Sequence, residues 1–135
     1  MTRQYLLDTN TSSYIINGKL PAARRRLARH DLSQIAVSVV TEGELRFGVA
    51  RRPAAIELAE LVEAFLCQVT ILPWESPAAA TYAHLRAKLE RDGKPLGALD
   101  MMIAAHALSL DLVLVTSDRA FGRVPDLVVE DWTKP

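Results

Sequence analysis

Only one cysteine occurs in the chain, Cys67, and it has no partner within it. That count excludes an intrachain disulfide and a thiolate metal cage. Its setting in an apolar, helical-looking segment predicts a buried structural thiol. Net charge is missing too: 16 basic residues balance 16 acidic ones, so the whole molecule is not a polycation drawn indiscriminately to nucleic acid. Any nucleic-acid site has to be local. No apolar stretch approaches the roughly 20 residues of a membrane span, and the apolar run within MTRQYLLDTN is too short for a signal peptide. The expectation is a soluble, cytoplasmic protein with no membrane partner. Internal repeats, low-complexity tracts and interdomain linkers are also lacking. The 135 residues, half of them hydrophobic, suit one domain spanning 1–135 with an enclosed core.

What is present reads as strands alternating with helices. Tyr5-Leu6-Leu7 is a short apolar run that breaks at Asp8-Thr9-Asn10-Thr11, as a buried strand does on meeting a helix start. Leu20 to His30 predicts a helix with Pro21 in its first turn, Ile35 to Val37 a second strand, and Val39 to Arg52 a helix. Pro53 is expected to open a further helix whose buried face carries Ile56, Ala59, Val62 and Leu66, with Leu58, Leu61 and Phe65 beside it. Val69 to Leu72 predicts a third strand. Ser76-Pro77 reads as a cap and first helical residue, and Gly93 as the end of that helix. Gly97 to Leu110 is a helix apolar almost all round, Leu112 to Val115 a strand of the kind buried on both faces, and Leu127 to Val129 a last strand. Strand-helix alternation implies right-handed βα units, hence an α/β protein with a mainly parallel sheet and helices on both faces.

In such sheets ligands bind beyond the carboxyl ends of the strands. Asp8 and Asp118 sit at two such ends, on strands that are candidates to be neighbours; Glu44 and Asp100 sit early in helices, among apolar residues. No Lys or Arg occurs three or four residues from Asp100, so a carboxylate buried there needs a cation or donors from elsewhere. Four carboxylates gathered without a basic group raise one another's pKa values unless a cation lies between them. Oxygen-only donors favour magnesium or manganese, which take substrate phosphate as a further ligand, and the implied chemistry is phosphodiester hydrolysis. Each acid also has a structural role open to it. Asp8 can cap the first helix, Thr41-Glu42-Gly43-Glu44 fits a capping box, Asp100 suits a helix dipole, and Asp118 can cap a short turn.

With these residues in view the chain resembles the PIN-domain family over its whole length, and is most similar to VapC toxins of toxin-antitoxin operons. Leu6-Leu7-Asp8-Thr9-Asn10 resembles the motif holding the family's first acid, and Ser38 to Gly48 the helix bearing its glutamate. Leu99-Asp100 to Ala107 resembles the third motif, and Val115-Thr116-Ser117-Asp118-Arg119-Ala120-Phe121 the fourth. The resemblance implies a PIN-like fold with a five-stranded sheet. It implies Asp8, Glu44, Asp100 and Asp118 as catalytic and metal-binding residues supported by Thr116 and Asn10, with Mg2+ or Mn2+ as cofactor. It further implies endonucleolytic cleavage of RNA, transfer RNA in many members and initiator transfer RNA in the subgroup with a similar ELRFG helix. A homodimer, a cognate VapB-type antitoxin and a larger toxin-antitoxin complex are the implied partners. Ser117 and Asp118 depart from the asparagines many relatives carry there.

For RNA contact, Arg24, Arg25, Arg26 and Arg29 form one basic cluster and Arg46, Arg51 and Arg52 another, with Arg24, Arg25 and Arg46 the chosen candidates. A haloacid-dehalogenase-like phosphatase is the enzymatic alternative, since Asp8-Thr9-Asn10 ends a strand as that nucleophile motif does, although Asn10 cannot act as its general acid. A non-catalytic PIN scaffold binding RNA or protein is the other. No GxGxxG supports a dinucleotide fold.

Overall fold

The structure, a computed structural model, describes residues 4–135; residues 1–3, part of the N-terminal stretch read above for a signal peptide, lie outside them. Five strands form one parallel sheet: β1 (Tyr5–Leu7), β2 (Ile35–Ser38), β3 (Thr70–Leu72), β4 (Val113–Val115) and β5 (Val129–Glu130), in the spatial order β3-β2-β1-β4-β5. Six helices connect them: α1 (Thr9–Asn17), α2 (Pro21–Ala28), α3 (Val39–Ala50), α4 (Ile56–Gln68), α5 (Ser76–Arg91) and α6 (Ala98–Ser109). Short 3-10 turns occupy Leu32–Gln34 and Arg119–Arg123.

The period of two along each strand sends neighbouring residues to opposite faces. Leu6, Ala36 and Leu114 join α5 and α6 in one core layer through Leu85, Leu89, Met101 and Ile103. Leu7, Ile35, Val37 and Val115 join α1, α3 and α4 in the other, through Ile15, Ile16, Leu45, Val62, Phe65 and Leu66. Strands buried on both sides explain the unbroken apolar runs in the sequence. The sheet switches direction of progression at β1, whose two neighbours are β2 and β4. Leu7 is in register with both Val37 and Val115, so the residues that follow, Asp8, Ser38 and Thr116, stand at one level at the carboxyl edge of the sheet.

Several local expectations need correction. Pro53 does not begin α4: the Ala55 N–H donates to the Arg52 carbonyl, which makes Pro53 the second residue of a turn, the position its fixed φ favours. Ile56 is then the first helical residue, lies beyond the core's edge and is 70 % exposed, and Leu61 is 40 % exposed, while Val62, Phe65 and Leu66 are buried as expected. Cys67 is exposed, because it follows Leu66 by one residue and so turns about 100° away from the buried stripe. Glu75, not Ser76, occupies the cap position of α5, with Pro77 inside the first turn. Leu99, on the helix read as apolar all round, is 47 % exposed. Gly93 does end its helix region, at φ 67°, with the Lys94 N–H donating to the Leu89 carbonyl.

Among the described residues no helix is long and apolar enough to cross a membrane.

Candidate active site

Asp8 is 4 % exposed and caps α1: its Oδ1 accepts from the Thr11 N–H at 2.8 Å. Burial pushes its pKa up, hydrogen bonds from Thr116 and Thr11 pull it down, and the nearby Asp118 charge raises it further. Capping and site chemistry are compatible here, since the Thr11 N–H of the helix start meets a single oxygen of the carboxylate, Oδ1. Asp118 leaves β4 three residues past Val115 and is exposed; its Oδ1 accepts from the Ala120 N–H at 2.9 Å, and its own N–H donates to Thr116 Oγ1 at 3.0 Å. The Thr116 hydroxyl therefore ties both acids to the end of β4, and the pairing of β1 with β4 makes their strands neighbours.

Glu44 enters from α3. Thr9 Oγ1 donates to Glu44 Oε1 at 2.6 Å and lies 3.1 Å from Thr41 Oγ1. The capping-box reading of Thr41 and Glu44 is overturned, because α3 starts at Val39 and is capped by Ser38, whose Oγ accepts from the Val40 N–H at 3.1 Å. Thr41 and Glu44 are instead one turn apart within the helix. Asp100 lies in the first turn of α6, capped by the Gly97 backbone. Its pKa is raised, first by burial and then by the charges of Asp118, Glu44 and Asp8.

All four acids therefore act on Asp100 or include it, and among the described residues none of the four takes part in a salt bridge. Among the described residues, too, no three ligating side chains already stand close enough to enclose an ion. The donor set is nevertheless one a hard cation fits: oxygen only, mutually repelling, and without an internal counter-charge. Asn10 is exposed in the first turn of α1. A cleft of about 720 Å³ opens from Thr9 and Glu44 along α1 and α3.

The proposed RNA-contacting arginines have uneven surroundings. Arg24 turns back to the end of α1, donating through Nε to the Ile15 carbonyl at 2.7 Å and through Nη2 to that of Ile16 at 3.0 Å. Arg46 is held between Glu42, at 2.8 Å, and Glu63. Arg25 is exposed in the last turn of α2. Sequence reasoning missed Thr9 as a partner of Glu44, and it missed the pair His106 and Ser38, whose Nδ1 and Oγ lie 2.9 Å apart in the core. A hydroxyl next to Asp8 and a histidine within an apolar helix were the available signals, but only the packing of α1 on α3 and α6 on β2 gives them partners.

A parallel α/β sheet with acids converging where the strand order reverses defines a class of protein whose site lies beyond β1 and β4. Comparison with known proteins makes the class specific: the PIN domain family profile matches residues 5–127, and the chain belongs to the PIN-domain family, in its VapC branch. It is 36% identical to the "tRNA(fMet)-specific endonuclease VapC" of Salmonella typhimurium over 96% of this chain and 98% of that one. It is 33% identical to "Ribonuclease VapC2" of Rickettsia felis, again covering 96% and 98%. Among solved structures, the DNA-bound VapBC of Salmonella typhimurium superposes with a TM-score of 0.91 at 36% identity, covering 97% of this chain and 99% of that one. FitAcB of Neisseria gonorrhoeae superposes at 0.85 and 30% identity, covering 96% and 98%.

Proposed function

We propose that the protein is a divalent-metal-dependent endoribonuclease, the toxin of a type II toxin-antitoxin pair, that hydrolyses phosphodiester bonds in RNA with Asp8, Glu44, Asp100 and Asp118 as its working acids. The observation that carries this reading is that Asp8, Glu44, Asp100 and Asp118 come from four separate elements to one end of the sheet, none of them in a salt bridge among the described residues; burial first, and then the charges of the other three, push the Asp100 carboxyl up. Full-length likeness to relatives named as ribonuclease and as tRNA(fMet)-specific endonuclease supports the reaction class and makes transfer RNA the first substrate to try. Solved complexes of similar toxins named VapBC and FitAcB support an antitoxin partner, and the reading includes a homodimer acting in the cytoplasm as one PIN domain.

Magnesium or manganese would be held by the four carboxylates, and when bound supplies positive charge that offsets the phosphate's and activates water for attack. The chain's own residues do the rest. Asp8 stays fixed because the start of α1 holds one of its oxygens, and Thr116 couples its position to that of Asp118. Thr9 orients Glu44 by donating to Oε1, which leaves Oε2 for a ligand. No side chain here is needed as a covalent nucleophile.

The test is cleavage of transfer RNA by the purified protein with Mg2+, with Mn2+ and in excess chelator. Metal-dependent cutting that drops at least about a hundredfold in Asp8→Asn is expected. That variant keeps the cap of α1, since asparagine caps as well as aspartate, so a lost activity is a lost site and not a lost fold. Full turnover in chelator overturns the reading. Rapid hydrolysis of p-nitrophenyl phosphate would favour a phosphatase, and a folded protein that binds RNA without cutting it would favour a scaffold.

A further inference from the structure

Where α3 leaves the sheet, the core holds a polar joint. Ser38 is 0 % and His106 1 % exposed, and Ser38 Oγ lies 2.9 Å from His106 Nδ1. The same oxygen caps α3, accepting the Val40 N–H at 3.1 Å. The rest of α6 near His106 is smooth. Ala104, Ala105 and Ala107 are buried there, and small apolar side chains specify a helix's rotation and height poorly. Gly97 gives α6 no side-chain cap, so the end that carries Asp100 is not pinned by one. The Trp74 indole donates to the Met102 carbonyl at 3.0 Å, which ties α6 to the segment after β3 and not to α3. His106 is the residue that meets the cap of α3 itself. Its Nε2 is buried without a hydrogen bond of normal geometry, a cost that an apolar side chain of similar shape would avoid.

We propose that Ser38 and His106 are positioning residues of the metal site: their buried hydrogen bond sets the spacing and rotation of α6 against α3, and so the gap between Asp100 and Glu44 that an ion has to bridge. The proposal rests on the metal-dependent reading of the four acids and names what holds two of them in place. Glu44 lies six residues after Ser38 on α3, and Asp100 six residues before His106 on α6. Each acid therefore stands about 9 Å of axial rise from the joint. They stand on the same side of it, because the Glu44 charge bears on Asp100. Over that arm a tilt of about 5° carries a carboxylate about 0.8 Å, whereas metal-oxygen distances hold to about 0.2 Å. A directional bond at the joint resists such a tilt, and apolar packing around alanines does so less. Neither residue touches the ion or the phosphate.

The experiment is calorimetric titration of the full chain with MnCl2 alone, at neutral pH and a temperature where every variant is folded, with melting temperatures taken in EDTA. His106→Leu, which fills a similar space without the bond, is expected to bind Mn2+ about tenfold more weakly. His106→Asn, whose Oδ1 can still accept from Ser38, should bind it as the native chain does, although its shorter side chain leaves a cavity and lowers the melting temperature. Affinity should thus follow the bond while stability follows the packing, an ordering that a purely structural role does not produce. Ser38→Gly removes the hydroxyl and keeps most of the capping tendency. It should lose the same factor as His106→Leu, the double variant should lose no more than either, and it decides the matter if His106→Leu does not fold. Ser109→Ala, which removes a hydrogen bond that α6 makes only to its own His106 carbonyl, should bind Mn2+ normally. The proposal is overturned if both bond-breaking variants bind Mn2+ as tightly as the native chain, if their losses multiply, or if affinity tracks melting temperature across the series. A native chain that takes up no Mn2+ overturns the metal reading and the positioning role together, whereas native binding that the variants leave unchanged overturns the positioning role alone.

Discussion

Asp100 serves a helix and a charge cluster at once, and the two roles differ in the sign of a stability change. If it only favoured the start of α6, Asp100→Ala would lose roughly 0.3–1 kcal/mol with or without metal. Its pKa is raised by burial and by Asp118, Glu44 and Asp8, so in chelator the alanine variant is expected to hold its melting temperature or gain. Magnesium at a hundred times its dissociation constant should stabilise the native chain by about 2.7 kcal/mol and the variant much less. An equal magnesium shift in both would remove Asp100 from the metal site.

The helices bearing Glu44 and Asp100 are fastened to each other below the site. Ser38 caps α3 and meets His106 of α6, both completely buried or nearly so. Ser38 Oγ accepts the Val40 N–H and can give its own proton to His106 Nδ1, the arrangement in which the ring's proton is on Nε2. Nε2 is buried without a hydrogen bond of normal geometry, and the Pro73 carbonyl is the acceptor that bears on the ring. Burial lowers the His106 pKa, outweighing that carbonyl and Glu75, which raise it. The unfolded chain therefore takes up a proton that the folded chain refuses, and stability should fall as pH drops below about 6.5. His106→Asn, which can still accept from Ser38, should flatten that fall; an unchanged slope in urea titrations at several pH values would exclude the histidine as its source. Ser38→Ala loses a cap, about 1 kcal/mol, and leaves Nδ1 unpaired, so its cost and that of His106→Asn should not add.

Taken together, Asp8 and the half-buried Asp100 give the molecule an opposite pH response. The raised pKa values of Asp8 and Asp100 mean stability present below about 3.9 and lost, in chelator, as pH rises through their raised folded values. A divalent ion that binds only the ionised carboxylates reverses this, because its affinity grows as they deprotonate. The rise in melting temperature on adding magnesium should therefore increase from pH 5 to neutrality. A magnesium effect independent of pH would mean that the ion binds groups other than these acids.

The sequence by itself determined the order of strands and helices, the parallel sheet and the acids at its ends, because those follow from local periodicity and from residues adjacent to strand ends. Asp8 and Asp118 were legible for that reason: each follows an apolar run that can only be a buried strand. Short-range rules failed where two explanations share one pattern. Thr41 and Glu44 match a capping box as text, yet the cap of α3 is Ser38, since β2 ends there and the helix starts three residues sooner than the box would start it. Cys67 and Ile56 looked buried because a helix's apolar stripe is known only once its partner layer is in place. Tertiary structure alone decided which charges are spent and which are free. Arg24 is drawn to the carbonyls ending α1 and Arg46 to two glutamates, one of them on α4, whereas Arg51 is left over the Phe47 ring. An arginine's long side chain can reach whatever the fold brings near, so its role depends on contacts between residues far apart in sequence, which no local pattern encodes.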